Sequence, residues 1–312
     1  MIEIISTFAR WSQLTANLIV FGSCVFLAII SAQKSVFAAD WVARLEKTFP
    51  WLTIIVIAGL LGILATTTSA ATGISSDAWN FSAWLDIVQQ TRIGHIWAAR
   101  ELLAVLLLIY MLIIRHSPRV RWHYIIGAAV AALPLIAGSL VSHSGAEEIT
   151  FESITPYALH ILLAGMWFGA LPAFLLIIYT DRQQSDLATR RASATHIEQF
   201  STIALPVMLL LALTGIVAAD RMIATNYHTL VATAYGWLLN AKLAVLAGIL
   251  WIAYQARYRW LPVFSQKDEN SQTPQAIAHL RKWVRIEFFM ALVLVLLATL
   301  LANTLPAKHA II

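Results

Sequence analysis

Eight apolar runs, each of about twenty residues, decide what this chain can fold into: about 11–31, 51–70, 97–114, 123–141, 156–179, 201–219, 236–256 and 285–304. Crossing roughly 30 Å of hydrocarbon takes about 20 helical residues. In lipid, every backbone N–H and C=O must be satisfied within the segment, so runs of this length predict helices. Only 12% of the 312 residues are charged and 60% are hydrophobic, whereas ordinary soluble domains are about 25% charged. The predicted fold is all-α: a polytopic membrane protein of eight transmembrane helices, with residues 1–312 forming a single membrane domain. The first run is read as a retained helix and not as a signal peptide, because Glu3 and Arg10 stand ahead of it in place of a basic cluster and its apolar stretch is too long.

Lys and Arg alternate in density from loop to loop. Fifteen fall in the loops after runs one, three, five and seven, and five (Arg10, Arg92, Arg100, Arg221 and Lys308) on the other side, with Lys242 inside run seven. By the positive-inside rule both termini and the even-numbered loops face the periplasm. Membrane topology thus accounts for the formal charge of +5. A nucleic-acid partner would need those cations gathered on one exposed face; the partner read from composition is the lipid bilayer. The single cysteine, Cys24, lies inside an apolar run, which excludes a disulfide framework or a CxxC metal site. No Walker sequence is present, and the chain is read as a non-enzyme.

The loop between runs four and five gathers His143, Glu147, Glu148 and Glu152, with His160 just beyond, and holds no Lys or Arg. Such a loop attracts cations. His143 and His160, together with His95 at the start of run three, sit at the outer edges of apolar segments, where a polar group needs a partner. They are the candidate metal ligands. Imidazole suits copper, zinc, iron and nickel, so the residue type alone leaves the metal open. Helical spacing puts Trp167 on the face of His160, closing the site from below. The carboxylates of Glu147, Glu148 and Glu152 are read as concentrating the ion or docking a basic partner face.

A repeat is also visible. Thr91-x-x-Gly94 followed by Arg100 opens run three, and Thr233-x-x-Gly236 followed by Lys242 opens run seven; runs two and six share Gly62-Ile63 and Gly215-Ile216. Equivalent helices four apart imply two parallel four-helix halves. Arg100 and Lys242 are expected at the outer interface, reaching toward headgroups or toward an acid such as Asp86 or Asp220. Gly165-x-x-x-Gly169 is expected to serve close helix packing within the bundle.

Ser142-His143-Ser144-Gly145-Ala146 and the run from Leu159-His160 through Gly165-Met166-Trp167-Phe168-Gly169-Ala170-Leu171 together resemble the signature of the copper resistance protein D (CopD) family. Thr91-x-x-Gly94 to Arg100, Phe200-Ser201 through Thr214-Gly215, Thr233-x-Tyr235-Gly236 to Lys242, and Arg285-Ile286-Glu287 extend the likeness over nearly the whole chain. The sequence departs from the family pattern at Ser144-Gly145-Ala146, where His-Ala is more typical, and at Ala170, where a second Gly is. The resemblance implies a multi-pass protein of the bacterial inner membrane that handles copper beside a periplasmic copper-binding protein and moves it toward the cytoplasm. On that reading His143, His160 and His95 hold copper. Two alternatives stand beside it: a haem-binding or redox protein of the same superfamily, and a non-transporting membrane partner of a periplasmic copper protein.

Overall fold

The computed structural model describes residues 2–31, 40–141, 150–181, 187–223, 227–260 and 273–307. Regular structure among them is helical throughout: α1 (Ile2–Ile30), α2 (Asp40–Thr72), α3 (Phe81–Gln90), α4 (Arg92–Ile114), α5 (Arg121–Ser139), α6 (Phe151–Phe168), α7 (Leu171–Asp181), α8 (Leu187–Ile223), α9 (Thr229–Ala232), α10 (Ala234–Gln255) and α11 (Thr273–Asn303). Among the described residues eight spans are long and apolar enough to cross a membrane, with α6 and α7 forming one of them, Phe151–Tyr179. The break at Gly169-Ala170 is local in origin. Pro172 lies in the first turn of α7, where its missing N–H costs nothing.

Most spans begin or end several residues beyond the apolar runs that predict them. The last is the clearest case: the run starts at about 285, yet α11 begins at Thr273 and its span at Ala278. Arg281, Lys282 and Arg285 mark a hydropathy boundary, but a helix need not stop where its cations begin, because their long stems reach back to the interface. Large apolar side chains such as Leu102, Ile113, Leu209, Ile216, Trp251 and Phe289 point outward, as a lipid-facing surface requires.

The bundle is built round α1, whose apolar window is 78% buried. It packs against α2, α5, α6 and α11. Its crossing with α6 is a backbone contact. A side chain on Gly22 would meet the Gly165 carbonyl and lie 2.7 Å from Gly169 Cα, and one on Gly169 would lie 2.6 Å from Gly22 Cα. Ser23 Oγ adds a hydrogen bond of 2.7 Å to the Gly169 carbonyl. The Gly165-x-x-x-Gly169 pattern therefore packs helices within the bundle, as expected.

The two halves share a construction. Thr91 and Thr233 take nearly the same extended conformation (φ −121°, ψ 146° and φ −121°, ψ 154°), and each hydroxyl accepts from the N–H three residues on, Gly94 at 2.9 Å and Gly236 at 3.0 Å. Each hydroxyl also donates to a carbonyl of the short helix before it, that of Ile87 or of Thr229. A Cβ on Gly94 or Gly236 would collide with that short helix's backbone. Gly62 abuts Ala9 of α1, and Gly215 abuts His160 of α6. The second helix of each half thus lays a glycine against the first.

Asn303 Nδ2 donates to Thr7 Oγ1 at 3.3 Å, so α11 ends where α1 begins. This terminal end of the bundle also carries the starts of α4, α6 and α10. At the opposite end, buried Glu46 pairs with Arg119 Nε at 2.8 Å and accepts from Tyr124 Oη at 2.7 Å.

Candidate functional site

Of the sequence-predicted ligands among the described residues, His160 is the one built into the bundle. Thr150 caps α6 through a reciprocal pair with Ser153, and His160 follows on the helix, half-buried against α8. Its Nδ1 lies 3.0 Å from Thr214 Oγ1. The hydrogen on Thr214 Oγ1 already points to the Leu210 and Leu211 carbonyls, at 2.9 and 3.0 Å. A hydroxyl has one hydrogen to give, so toward His160 it accepts. With the Thr214 hydroxyl donating to those carbonyls, Nδ1 carries the proton and Nε2 presents its lone pair, an arrangement in which one ring nitrogen is anchored and the other can ligate.

Gly215 makes room for this ring, since a Cβ there would be 3.2 Å from His160 Cε1. The Lys242 ammonium, on α10, is near enough to act on the ring electrostatically. Lys242 is half-buried on α10.

His95 is elsewhere. It lies exposed in the first turn of α4, and α4 packs against α2, α3 and α5, whereas α6 packs against α1, α5 and α8. Among the described residues no three His, Cys, Asp or Glu side chains come together as a metal cluster. His143, Glu147 and Glu148 lie outside the described residues; Glu152 is exposed in the first turn of α6. Arg100 turns inward: its Nη2 donates to Gln13 Oε1 at 3.1 Å and not to Asp86.

Trp167 lies two turns below His160, roughly 10 Å along the helix axis. Its indole N–H donates to Glu287 Oε1 at 3.2 Å. Glu287 is 6% exposed, two residues beyond Arg285 on α11. A carboxylate buried in the bundle is costly, and by default marks a functional position. Sequence reading placed Glu287 at the opening of the last helix and gave it no role. The available signal was a lone acid followed by sixteen uncharged residues, Phe288 to Asn303.

Two family descriptions match the chain: "Copper resistance protein D-like, N-terminal domain" over residues 1–150 and "Copper resistance protein D" over residues 194–301. Copper resistance protein D of Pseudomonas syringae pv. tomato is 22% identical over 279 residues, covering 86% of this chain and 88% of its own. Inner membrane protein YebZ of Escherichia coli strain K12 is 27% identical over 239 residues, covering 74% of each. No solved structure matches. With one description on each half of the bundle, and the Thr-x-x-Gly caps, the His160 helix and Glu287 falling within or between them, the chain is a membrane protein of the copper resistance protein D family.

Proposed function

We propose that the protein binds copper at the terminal end of the bundle, on the periplasmic side of the bacterial inner membrane, and passes it toward the cytoplasm through the C-terminal half. The observation that carries this is His160, anchored through Nδ1 with Nε2 left to ligate. His143, on the adjoining segment, supplies a second imidazole. His95, on a helix that does not pack against α6, is assigned to capture at the surface and not to the same ion. The nearby Lys242 ammonium favours a monovalent over a divalent ion, because the Coulomb penalty doubles with the charge.

The route follows α6. The seam between α1 and α6 is closed by backbone at Gly22, Gly165 and Gly169, so an ion cannot descend there. The other face of α6 offers His160 and then Glu287 beside Trp167, at successive depths. The fifteen-to-five distribution of Lys and Arg supports the orientation. A periplasmic copper carrier would deliver to this end, where Glu152 is exposed.

The test is Cu(I) binding by chelator competition on the purified full chain, paired with copper uptake in cells. His160→Ala and His143→Ala are expected to remove most binding and uptake. Glu287→Gln should keep binding and lose uptake. Equal binding by wild type and the double histidine variant would sink the copper site, and a Soret band in the same preparation would support the haem reading instead. A periplasm-only reporter fused after residue 312 should be active, and one near Gln272 silent; the reverse moves the site to the cytoplasm.

A further inference from the structure

The N-terminal half holds a second buried polar cluster that the copper route does not use. Arg10, Gln13 and Asn17 are spaced i, i+3, i+7 on α1 and so share one face. Gln13 is 3% exposed and Asn17 0%. Arg100 reaches this face from α4 through its bond to Gln13 Oε1, and the two guanidiniums are close enough to repel one another. The Arg100 guanidinium packs against Gly138 of α5, where a Cβ would stand 3.4 Å from its Nη2. Arg10 Nε, Arg100 Nε, Gln13 Nε2 and both amide atoms of Asn17 are buried with no hydrogen-bond partner.

Two like charges in a low-dielectric setting, ringed by unsatisfied donors, need a counter-charge. Glu101 is the nearby acid, and one carboxylate offsets at most one of the two cations. It acts on Arg100 electrostatically, yet its Oε2 is itself buried without a partner. As the next residue on the helix it points about 100° away from Arg100 and cannot face the same fork. Planar guanidinium forks and amide NH2 groups match an oxyanion, which takes paired parallel hydrogen bonds, better than a halide.

We propose that Arg10, Arg100, Gln13 and Asn17 form an oxyanion site in the N-terminal half, accepting a phosphate or carboxylate group at the terminal end of the bundle. The group comes either from a phospholipid headgroup or from a free anion in solution. The site is separate from the copper-binding reading and survives its failure. It also gives the two halves distinct electrostatics: the cationic pocket in one turns a metal ion away, leaving the His160 side of the other as its entry.

The experiment uses the purified full chain in detergent, comparing wild type with Arg10→Gln, Arg100→Gln and Arg100→Lys. Native mass spectrometry reads retained phospholipid, and thermal unfolding is followed as sodium chloride is replaced by sodium phosphate at constant ionic strength. One phospholipid held per wild-type chain and lost in both glutamine variants assigns the site to a headgroup. Saturable stabilisation by phosphate without retained lipid assigns it to a free anion, with affinity falling about tenfold or more in the glutamine variants for the charge-assisted bonds lost. Arg100→Lys keeps the charge and loses the fork, so it should bind more weakly than wild type and more tightly than Arg100→Gln. Should a glutamine variant fail to fold, wild type and Arg100→Lys carry the test. Wild type that retains no lipid and responds to phosphate only as to chloride overturns the proposal, leaving a cluster satisfied by water alone.

Discussion

Gly22→Ala tests how the bundle is held together. The new Cβ would stand 2.7 Å from Gly169 Cα and 2.9 Å from the Gly165 carbonyl carbon, with the Gly165 oxygen closer still. Carbon atoms settle at about 3.5–4.0 Å, so α1 and α6 must part by roughly 1 Å. Every atom opposite is backbone, and no side chain can swing aside. A gap of 0.5–1 Å forfeits a quarter to a half of each contact, and overpacking of this kind costs about 1–3 kcal/mol. The same movement stretches the bond from Ser23 Oγ to the Gly169 carbonyl, worth about 1 kcal/mol. Lipid gives the two helices no hydrophobic reason to stay together, so the loss in packing is felt directly. The expected cost is about 3 kcal/mol, read from reversible unfolding in mixed micelles of increasing SDS fraction. Gly127→Ala is the control, because its Cβ would meet side-chain atoms and no backbone, Cys24 Sγ and Met111 Cε at 3.2 Å and Tyr110 Cε1 at 3.5 Å, and should cost less than about 1 kcal/mol. Gly22→Ala within about 0.5 kcal/mol of wild type, or Gly127→Ala costing as much, would refute the reading of α1–α6 as a rigid backbone seam.

Three other outcomes are expected. Gly215→Ala pushes a Cβ to 3.2 Å from His160 Cε1; the ring must shift by a few tenths of an ångström, and Cu(I) affinity should fall about tenfold while SDS unfolding changes by less than about 1 kcal/mol, since loss of a supporting group typically costs 10–100-fold in metal affinity. Trp167→Phe keeps the ring volume and removes the N–H given to Glu287; copper uptake should fall with binding at His160 retained, and unchanged uptake would free Glu287 from any dependence on the indole. Glu46→Ala withdraws the carboxylate bound by Arg119 and Tyr124 at the opposite end; breaking one side of a buried pair should destabilise by about 3 kcal/mol in the same unfolding assay, with Cu(I) binding at the other end unaffected.

What the sequence made legible follows from what lipid demands. Twenty-residue apolar runs have one outcome in a bilayer, so the eight spans were readable, and Thr-x-x-Gly is a cap whose hydroxyl and glycine have a single geometry to satisfy, so the paired helix starts at Thr91 and Thr233 were readable too. Azimuth was not. These helices are apolar on nearly every face, and the contrast between core and surface that tells a soluble helix which way to turn is absent. Hence Arg100 was placed at the right end of the right helix and pointed the wrong way: outward to headgroups, when it turns in to Gln13. Arg10, counted among the cations of a loop, lies within α1. The stripe of Arg10, Gln13 and Asn17 at helical spacing was the one azimuthal signal in the first run, because three polar side chains on one face of an otherwise apolar helix have to be turned from lipid. Glu287 was hidden differently. Its neighbours Arg281, Lys282 and Arg285 set a hydropathy boundary just before it, and only the packing of the helices reveals that the carboxylate is buried, beside the indole that reasoning from His160 had already placed on the same face.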